Sequence, residues 1–273
     1  MTPPLVTILC ATRNALEAVQ LTFRTLRATL DVPCRVLVAD NLSTDGTLEC
    51  LRGRSDVSVV SFPERRAKLR RRGQVLAPDA HDLRHGPTLD WLASQVATPW
   101  FLTIDSDLDF LARGWLGALL DFARAGGLDV VADVDPGEGP IQPRFLPWLL
   151  LARSATFRLL RGTFAEGATF EDPGEERRWD AMPVPVHAEV LALRTGRIYD
   201  VGAVLHARVA ASGRAWAPLP LPVRDAVRHI GSMSWAGEEP EASVAALHRS
   251  HVAYVRDRLC HLPAESSSTP VDG

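Results

Sequence analysis

An α/β fold built on an open, mostly parallel sheet is predicted by three observations. Short β-branched runs alternate with segments whose apolar residues recur at helical spacing, the mark of parallel strands joined by crossover helices. Two of those runs, 35–40 and 100–107, end on acids, and the carboxyl end of a strand is where such sheets bind ligands. The chain has 273 residues, 46% hydrophobic and 23% charged, enough for the core of one large α/β domain.

Residues 5–11 (LVTILCA) form a buried strand by length and β-branching, and Thr12, Arg13 and Asn14 break it. Leu16, Val19, Phe23, Leu26 and Leu30 then recur on one face of a helix that runs to about Leu30. Pro33 resets the chain, and 35–40 (RVLVAD) is the second strand. The small polar residues of 41–47 (NLSTDGT) make a tight turn and cap a helix holding Leu48 and Leu51, with Asp45 and Gly46 as turn and cap residues. Residues 57–62 form a third strand.

The segment 63–84 is irregular and carries the basic run 64–72 (ERRAKLRRR), either a solvated face or a flap that lends charge to a phosphate or an acidic acceptor. His85-Gly86-Pro87 leads into a helix with Leu89, Leu92 and Val96 on one face, closed by Pro99. The next strand, WFLTI, runs straight into Asp105-Ser106-Asp107. Two carboxylates at that spacing suit a hard divalent cation such as Mg2+ or Mn2+, although D-x-D by itself is also a common solvated turn.

Beyond the acids, Leu111, Trp115, Leu119 and Phe122 predict a helix ending near Gly126-Gly127, followed by a strand at 128–132 and a loop at 137–143. A strand is expected at 147–152 and a short helix from Phe157. Residues 164–185 are rich in charge, Gly and Pro, as lids and binding loops often are. Val190, Leu191 and Leu193 mark a helix, and Asp200-Val201-Gly202 opens another through Val209. Residues 219–223 are punctuated by proline, 229–234 end the ordered core, and 244–259 form a C-terminal helix.

The net charge of −3 gives no reason to expect nucleic acid or an anionic membrane as partner. Lys68 is the single lysine among 30 basic residues, which reads as codon bias. Four cysteines, none in a C-x-x-C pair, suggest buried free thiols in a reducing compartment. No charged segment precedes the first apolar run as in a signal peptide, and the apolar stretch at 145–152 is too short to span a bilayer, so a cytoplasmic protein without a transmembrane segment is expected.

Five separated pieces resemble the inverting family 2 nucleotide-sugar glycosyltransferases, which have the GT-A fold. Ala11-Thr12-Arg13-Asn14 is similar to that family's P/S-T-x-N opening, with Ala11 in place of the usual Pro. Residues 38–47 (VADNLSTDGT) are similar to its V-D-N-x-S-x-D-G-T, and Asp105-Ser106-Asp107 matches its D-x-D metal site. Tyr199-Asp200-Val201-Gly202 and 229–234 (HIGSMS) look like the D-x-G and H-x-G-x-x-S elements of one subgroup.

The resemblance implies a single GT-A domain at 1–262, with a Rossmann-like, mostly parallel sheet flanked by helices. Residues 1–110 would be its nucleotide-sugar half, 111–262 its acceptor half, and 263–273 a disordered tail. It implies that Asp40 hydrogen-bonds the nucleobase and that Thr12, Arg13 and Asn14 line the same pocket. Asp105 and Asp107 would hold Mn2+ or Mg2+ and the ribose–diphosphate, Ser106 would belong to the donor-binding set, and His229 would approach the metal or the diphosphate from the far side, as a third metal ligand. The family's A-R-N-x-G stretch is replaced by 85–90 (HGPTLD), leaving Arg84, His85 and Asp90 as candidates for the second base contact.

Sugar transfer needs a cation to stabilise the departing diphosphate and a carboxylate to take the acceptor hydroxyl's proton; one displacement inverts the anomeric centre. Asp200, at a helix start, is the first candidate for that base, with a plain N-cap as its alternative. Asp172 and Asp180 come next; Glu171-Asp172 resembles the family's E-D motif in letters. Implied partners are a nucleotide-diphosphate sugar and a hydroxyl acceptor that is a glycan, a glycolipid or a small natural product. A silent sugar-nucleotide-binding or partner-binding domain is the reading from another class. A nucleotidyltransferase would need a Gly-rich loop and a Lys after the first strand, and neither is there.

Overall fold

A computed structural model of the chain describes residues 3–64, 85–169, 197–231 and 242–263. Seven strands form one sheet in the order β12-β6-β9-β4-β1-β2-β3. Its centre is β1 (Val6–Thr12), β2 (Cys34–Asp40) and β4 (Trp100–Ile104), with β3 (Ser58–Ser61) at one edge. β1 pairs parallel with β2 and β4, and β2 parallel with β3. The far half holds β6 (Val130–Val131), β9 (Leu149–Arg153) and β12 (Trp216–Ala217). β9 runs antiparallel to both β4 and β6, while β12 is parallel to β6. The chain thus has the mostly parallel, helix-flanked sheet that the sequence predicts of a GT-A domain.

Burial on both faces explains why the central strands read as continuous apolar runs. Alternate residues of β1 face opposite ways: Val6, Ile8 and Cys10 enter one core, Leu9 and Ala11 the other. The first core packs on α1 (Leu16–Thr29), α4 (Trp115–Ala125), α7 (Leu221–Ala226) and α8 (Ala242–His261) through Phe23, Leu26, Trp115, Leu119, Val223 and Val255. The second packs on α3 (His85–Ala93) and α6 (Ala203–Ala211) through Leu89, Leu92, Leu205 and Val209. Two short helices, α2 (Thr47–Arg52) and α5 (Ser154–Leu159), complete the connections.

Three two-stranded ribbons lie outside the sheet. β5 (Leu108–Phe110) pairs with β13 (Val227–His229), β7 (Val134–Asp135) with β8 (Arg144–Phe145), and β10 (Gly167–Thr169) with β11 (Arg197–Tyr199), all antiparallel.

Several local expectations are corrected. Leu111 is not on the helix after the acid pair: α4 starts at Trp115, and its buried face is Trp115, Leu116, Leu119, Leu120 and Ala123, with Phe122 turned outward. Residues 108–110 are instead a strand, because β13 supplies their partner from far along the chain. The strand expected at 128–132 is only two residues long. The proline-punctuated segment is a helix, with Pro222 in its first turn where a missing N–H costs nothing. Most of the basic run, the helix expected around Val190 and most of the predicted tail lie outside the described residues; Pro263 is described, and its carbonyl accepts from Arg24 at 2.7 Å.

Candidate functional site

The carboxyl ends of β1, β2 and β4 converge at one edge of the sheet. Thr12 and Asp40 are register partners, the last residues of their strands. Asp40 is 1% exposed. Its Oδ2 accepts the Ser43 N–H at 3.1 Å, while its Oδ1 and the Thr12 Oγ1 are buried without a hydrogen-bond partner among the described residues. Buried polar atoms are normally paired, so two orphans side by side at a strand end mark a place for a ligand's polar groups.

The loops beyond these strands are tied to each other. Asn14, with φ 48°, accepts the Thr44 N–H at 2.8 Å through its Oδ1, and its own N–H donates to Ser43 Oγ at 2.9 Å. Asp45 accepts from the Leu16 N–H (3.0 Å), the Thr47 N–H (3.1 Å) and the Thr47 hydroxyl (2.6 Å), so one carboxylate serves the starts of α1 and α2. Burial pushes the Asp45 carboxyl up, and these donors together bring it below the usual carboxylate range. Arg13 is exposed.

Asn41, next to Asp40, donates to Thr88 Oγ1 at 3.1 Å and so fixes the first turn of α3. That helix starts against the loop at 163–165, so closely that a Cβ on Gly86 would collide with the Phe164 carbonyl. Asp90 anchors the loop by accepting from the Phe164 N–H (2.7 Å), the Ala165 N–H (3.3 Å) and the Thr163 hydroxyl. Burial pushes its carboxyl above the usual range. The structure therefore places Asp90 in the support of α3, and His85 in the cleft, with Nε2 3.5 Å from Asp105 Oδ1.

Asp105 and Asp107 flank the buried Ser106 where β4 turns into β5. The β5–β13 pairing sets His229 opposite Leu108, and the Ile230 N–H donates to the Asp107 carbonyl at 3.0 Å. His229 Nε2 then lies 3.4 Å from both Asp105 Oδ2 and Asp107 Oδ1. One donor atom from each of the three residues falls within 4.8 Å of the others. The Asp105 Oδ1 is a further buried oxygen without a hydrogen bond among the described residues. Two carboxylates and an imidazole fit a divalent cation.

The electrostatics agree. Burial acts against charge on His229, but the carboxylates of Asp105 and Asp107 outweigh it and raise the ring to about 10. Burial likewise pushes Asp105 up, and the hydrogen bond from His229, with His85 nearby, holds it below the usual range. The site thus concentrates negative charge that attracts a proton onto His229 or a metal into its place.

The cleft around this cluster has a volume of about 430 Å3 and is also lined by Arg144, Trp148 and Asp200. The Trp148 ring stacks on His229, with centroids 5.3 Å apart and planes 7° from parallel. Asp200 follows β11; its Oδ1 accepts the Val201 N–H at 2.7 Å and its Oδ2 pairs with Arg144. Arg144 also holds Asp135 at 3.0 Å. The N-cap of α6 is Gly202, at φ 87° and against the Phe145 carbonyl, so the Asp200 side chain does not cap the helix.

The fold therefore gathers Asp105, Ser106, Asp107, His85, His229 and Asp200 in one cleft, with Thr12 and Asp40 at the neighbouring strand ends. Arg84, Asp172 and Asp180 lie outside the described residues. Sequence reasoning missed Arg144 and Trp148: an Arg in a loop and a Trp before an apolar run carry no pattern that separates them from surface or core.

No protein-family model and no curated protein matches the chain. Among solved structures, it is similar to a mannosyltransferase from Pyrobaculum calidifontis in complex with GDP-Man and Mn2+, at 18% identity over 60% of this chain and 48% of that one, with a TM-score of 0.43. It is similar to residues 1–349 of TarS from S. aureus at 17% identity over 58% and 50%, with a TM-score of 0.42. Glucosyl-3-phosphoglycerate synthase from Mycobacterium tuberculosis in complex with Mn2+ and UDP-glucose matches at 14% identity over 96% of this chain and 81% of that one, with a TM-score of 0.49. The chain spans about half the length of the first two.

Proposed function

We propose that the chain is a metal-dependent, inverting glycosyltransferase of the family 2 type, moving a sugar from a nucleotide diphosphate to an acceptor hydroxyl in the cytoplasm. One observation carries this reading: the Asp105–Asp107–His229 cluster shares its edge of the sheet with the unpaired oxygens of Thr12 and Asp40. A single ligand with a nucleobase at one end and a diphosphate at the other satisfies both. The Asp40 Oδ1 would accept a base N–H, and Asp105, Asp107 and His229 would hold the cation. Two carboxylates with an imidazole suit Mn2+ better than Mg2+, which favours oxygen donors. When bound, the cation would stabilise the charge that develops on the leaving diphosphate.

Asp200 is the base of this proposal, since it is a carboxylate in the same cleft as the metal cluster. The Arg144 pair orients it, and the acceptor must take the place of that contact before Asp200 Oδ2 can receive a proton. The same ion pair is the observation that favours the second reading, a sugar-nucleotide-binding domain without transferase activity.

Isothermal titration of UDP, GDP and dTDP, each with and without Mn2+, on the wild type and on the Asp105→Ala/Asp107→Ala double variant tests the proposal. Metal-dependent binding of one nucleotide, lost in the double variant, supports it and names the donor class. A folded wild type that binds none of them refutes it.

A further inference from the structure

The third donor of the metal cluster depends on a short ribbon. His229 is the last residue of β13, which pairs with β5 over only three residues. A two-stranded ribbon of that length is not stable alone. Residues of α8 reach it through polar and specific contacts. Asp109, on β5 two residues after Asp107, is 0% exposed. Arg258 of α8 holds it with two hydrogen bonds, Nε to Oδ2 at 2.6 Å and Nη2 to Oδ1 at 3.1 Å, and the Tyr254 hydroxyl donates to the same carboxylate at 2.7 Å.

The other strand is gripped by the same face of α8. Arg228, the register partner of Asp109, lays its guanidinium 4.1 Å from the Tyr254 ring centroid. His251 Nδ1 lies 2.8 Å from the Gly231 carbonyl, two residues past His229. Val255, between these polar contacts, is buried in the first core.

We infer that Arg258 and Tyr254 of the C-terminal helix are positioning residues for the metal site: by clamping Asp109 they hold the β5–β13 ribbon in the register that aims His229 at Asp105 and Asp107. The reason is geometric. A forked guanidinium on a carboxylate fixes orientation as well as distance, which an apolar contact at the same place would not. The inference rests on the proposed metal site.

The test is Mn2+ binding to the full chain, read by isothermal titration and by the nitrogen hyperfine coupling of bound Mn2+, which is assigned to the His229 ring by its loss in His229→Ala and its persistence in His85→Ala. Melting curves in EDTA monitor folding separately. Arg258→Ala is expected to weaken Mn2+ binding about tenfold and to lose the nitrogen coupling, with Arg258→Lys intermediate and Tyr254→Phe about threefold weaker. Glu17→Ala breaks the Arg256–Glu17 pair elsewhere on the same helix and should leave Mn2+ affinity as in the wild type. Wild-type affinity and coupling in folded Arg258→Ala overturn the inference, as does an equal loss in Glu17→Ala. Should Arg258→Ala not fold, folded Tyr254→Phe with wild-type affinity and coupling overturns it. A wild type that binds no Mn2+ refutes the metal site itself, which is a different failure.

Discussion

At the scale of single residues, two of the candidate acids have different partners and so different expected effects. Asp40 keeps one oxygen for its own turn and leaves the other unpaired, so Asp40→Asn should weaken nucleotide binding by about 1–3 kcal/mol while changing the melting temperature little; titration and a thermal melt on the same samples check both. Asp200 is paired with Arg144 but stands in the metal cleft. Asp200→Asn should lower kcat by a factor of about 100 or more, with the nucleotide's Kd unchanged, the pattern of a lost general base. A parallel loss of nucleotide affinity would make Asp200 a binding residue instead. Both acids could be picked out in the sequence because Asp40 ends a strand, and Asp200 opens a helix, in a recognisable motif. Arg144 and Trp148 could not, because their importance comes only from what they touch.

At the scale of elements, the strand ends hold the site and the loops between helices hold the strand ends. Asp45 serves the starts of α1 and α2 at once. Its folded-state carboxyl lies below the usual value, so the stability it adds is present above the unfolded-state range and fades as pH falls through the folded value. Asp45→Ala should therefore melt at a lower temperature than the wild type at pH 7, and the gap should narrow below about pH 4. A gap that stays constant down to pH 2 would contradict this. Gly202→Ala puts a Cβ at φ 87° and against the Phe145 carbonyl; it should cost about 1–3 kcal/mol in a denaturant melt and disturb the neighbouring Asp200. The long elements were readable, α1 from helical periodicity and β1 from its length and β-branching. The short ribbons were not: β5 and β13 are three residues each, and nothing within either segment announces a partner more than a hundred residues away.

For the molecule as a whole, the two cores close on both faces of one sheet, and the cleft opens at its carboxyl edge. No described helix is long and apolar enough to cross a membrane. A ligand pair that binds only the folded chain must raise its stability. Mn2+ with the cognate nucleotide, each at about 100 times its Kd, should add about 3 kcal/mol per ligand, a shift in melting temperature of about 5 °C or more. EDTA should abolish the shift for the nucleotide as well as for the metal, because in the proposed site the diphosphate would be held through the cation. A nucleotide shift that survives EDTA would separate the two sites.

By itself the sequence determined the alternation of strands and helices, the acids at the strand ends and the choice of a metal-dependent transferase as the chemistry to test. These are local properties: β-branched runs, helical spacing and short motifs are written into neighbouring residues. Only the tertiary structure decided that β9 runs against its neighbours, that Asp90 supports α3 while His85 enters the cleft, and that the β5–β13 ribbon, under the hold of α8, is what carries His229 to Asp105 and Asp107. Those outcomes depend on which distant segments pack together, and packing is settled by the burial of whole faces, which no single stretch of chain encodes.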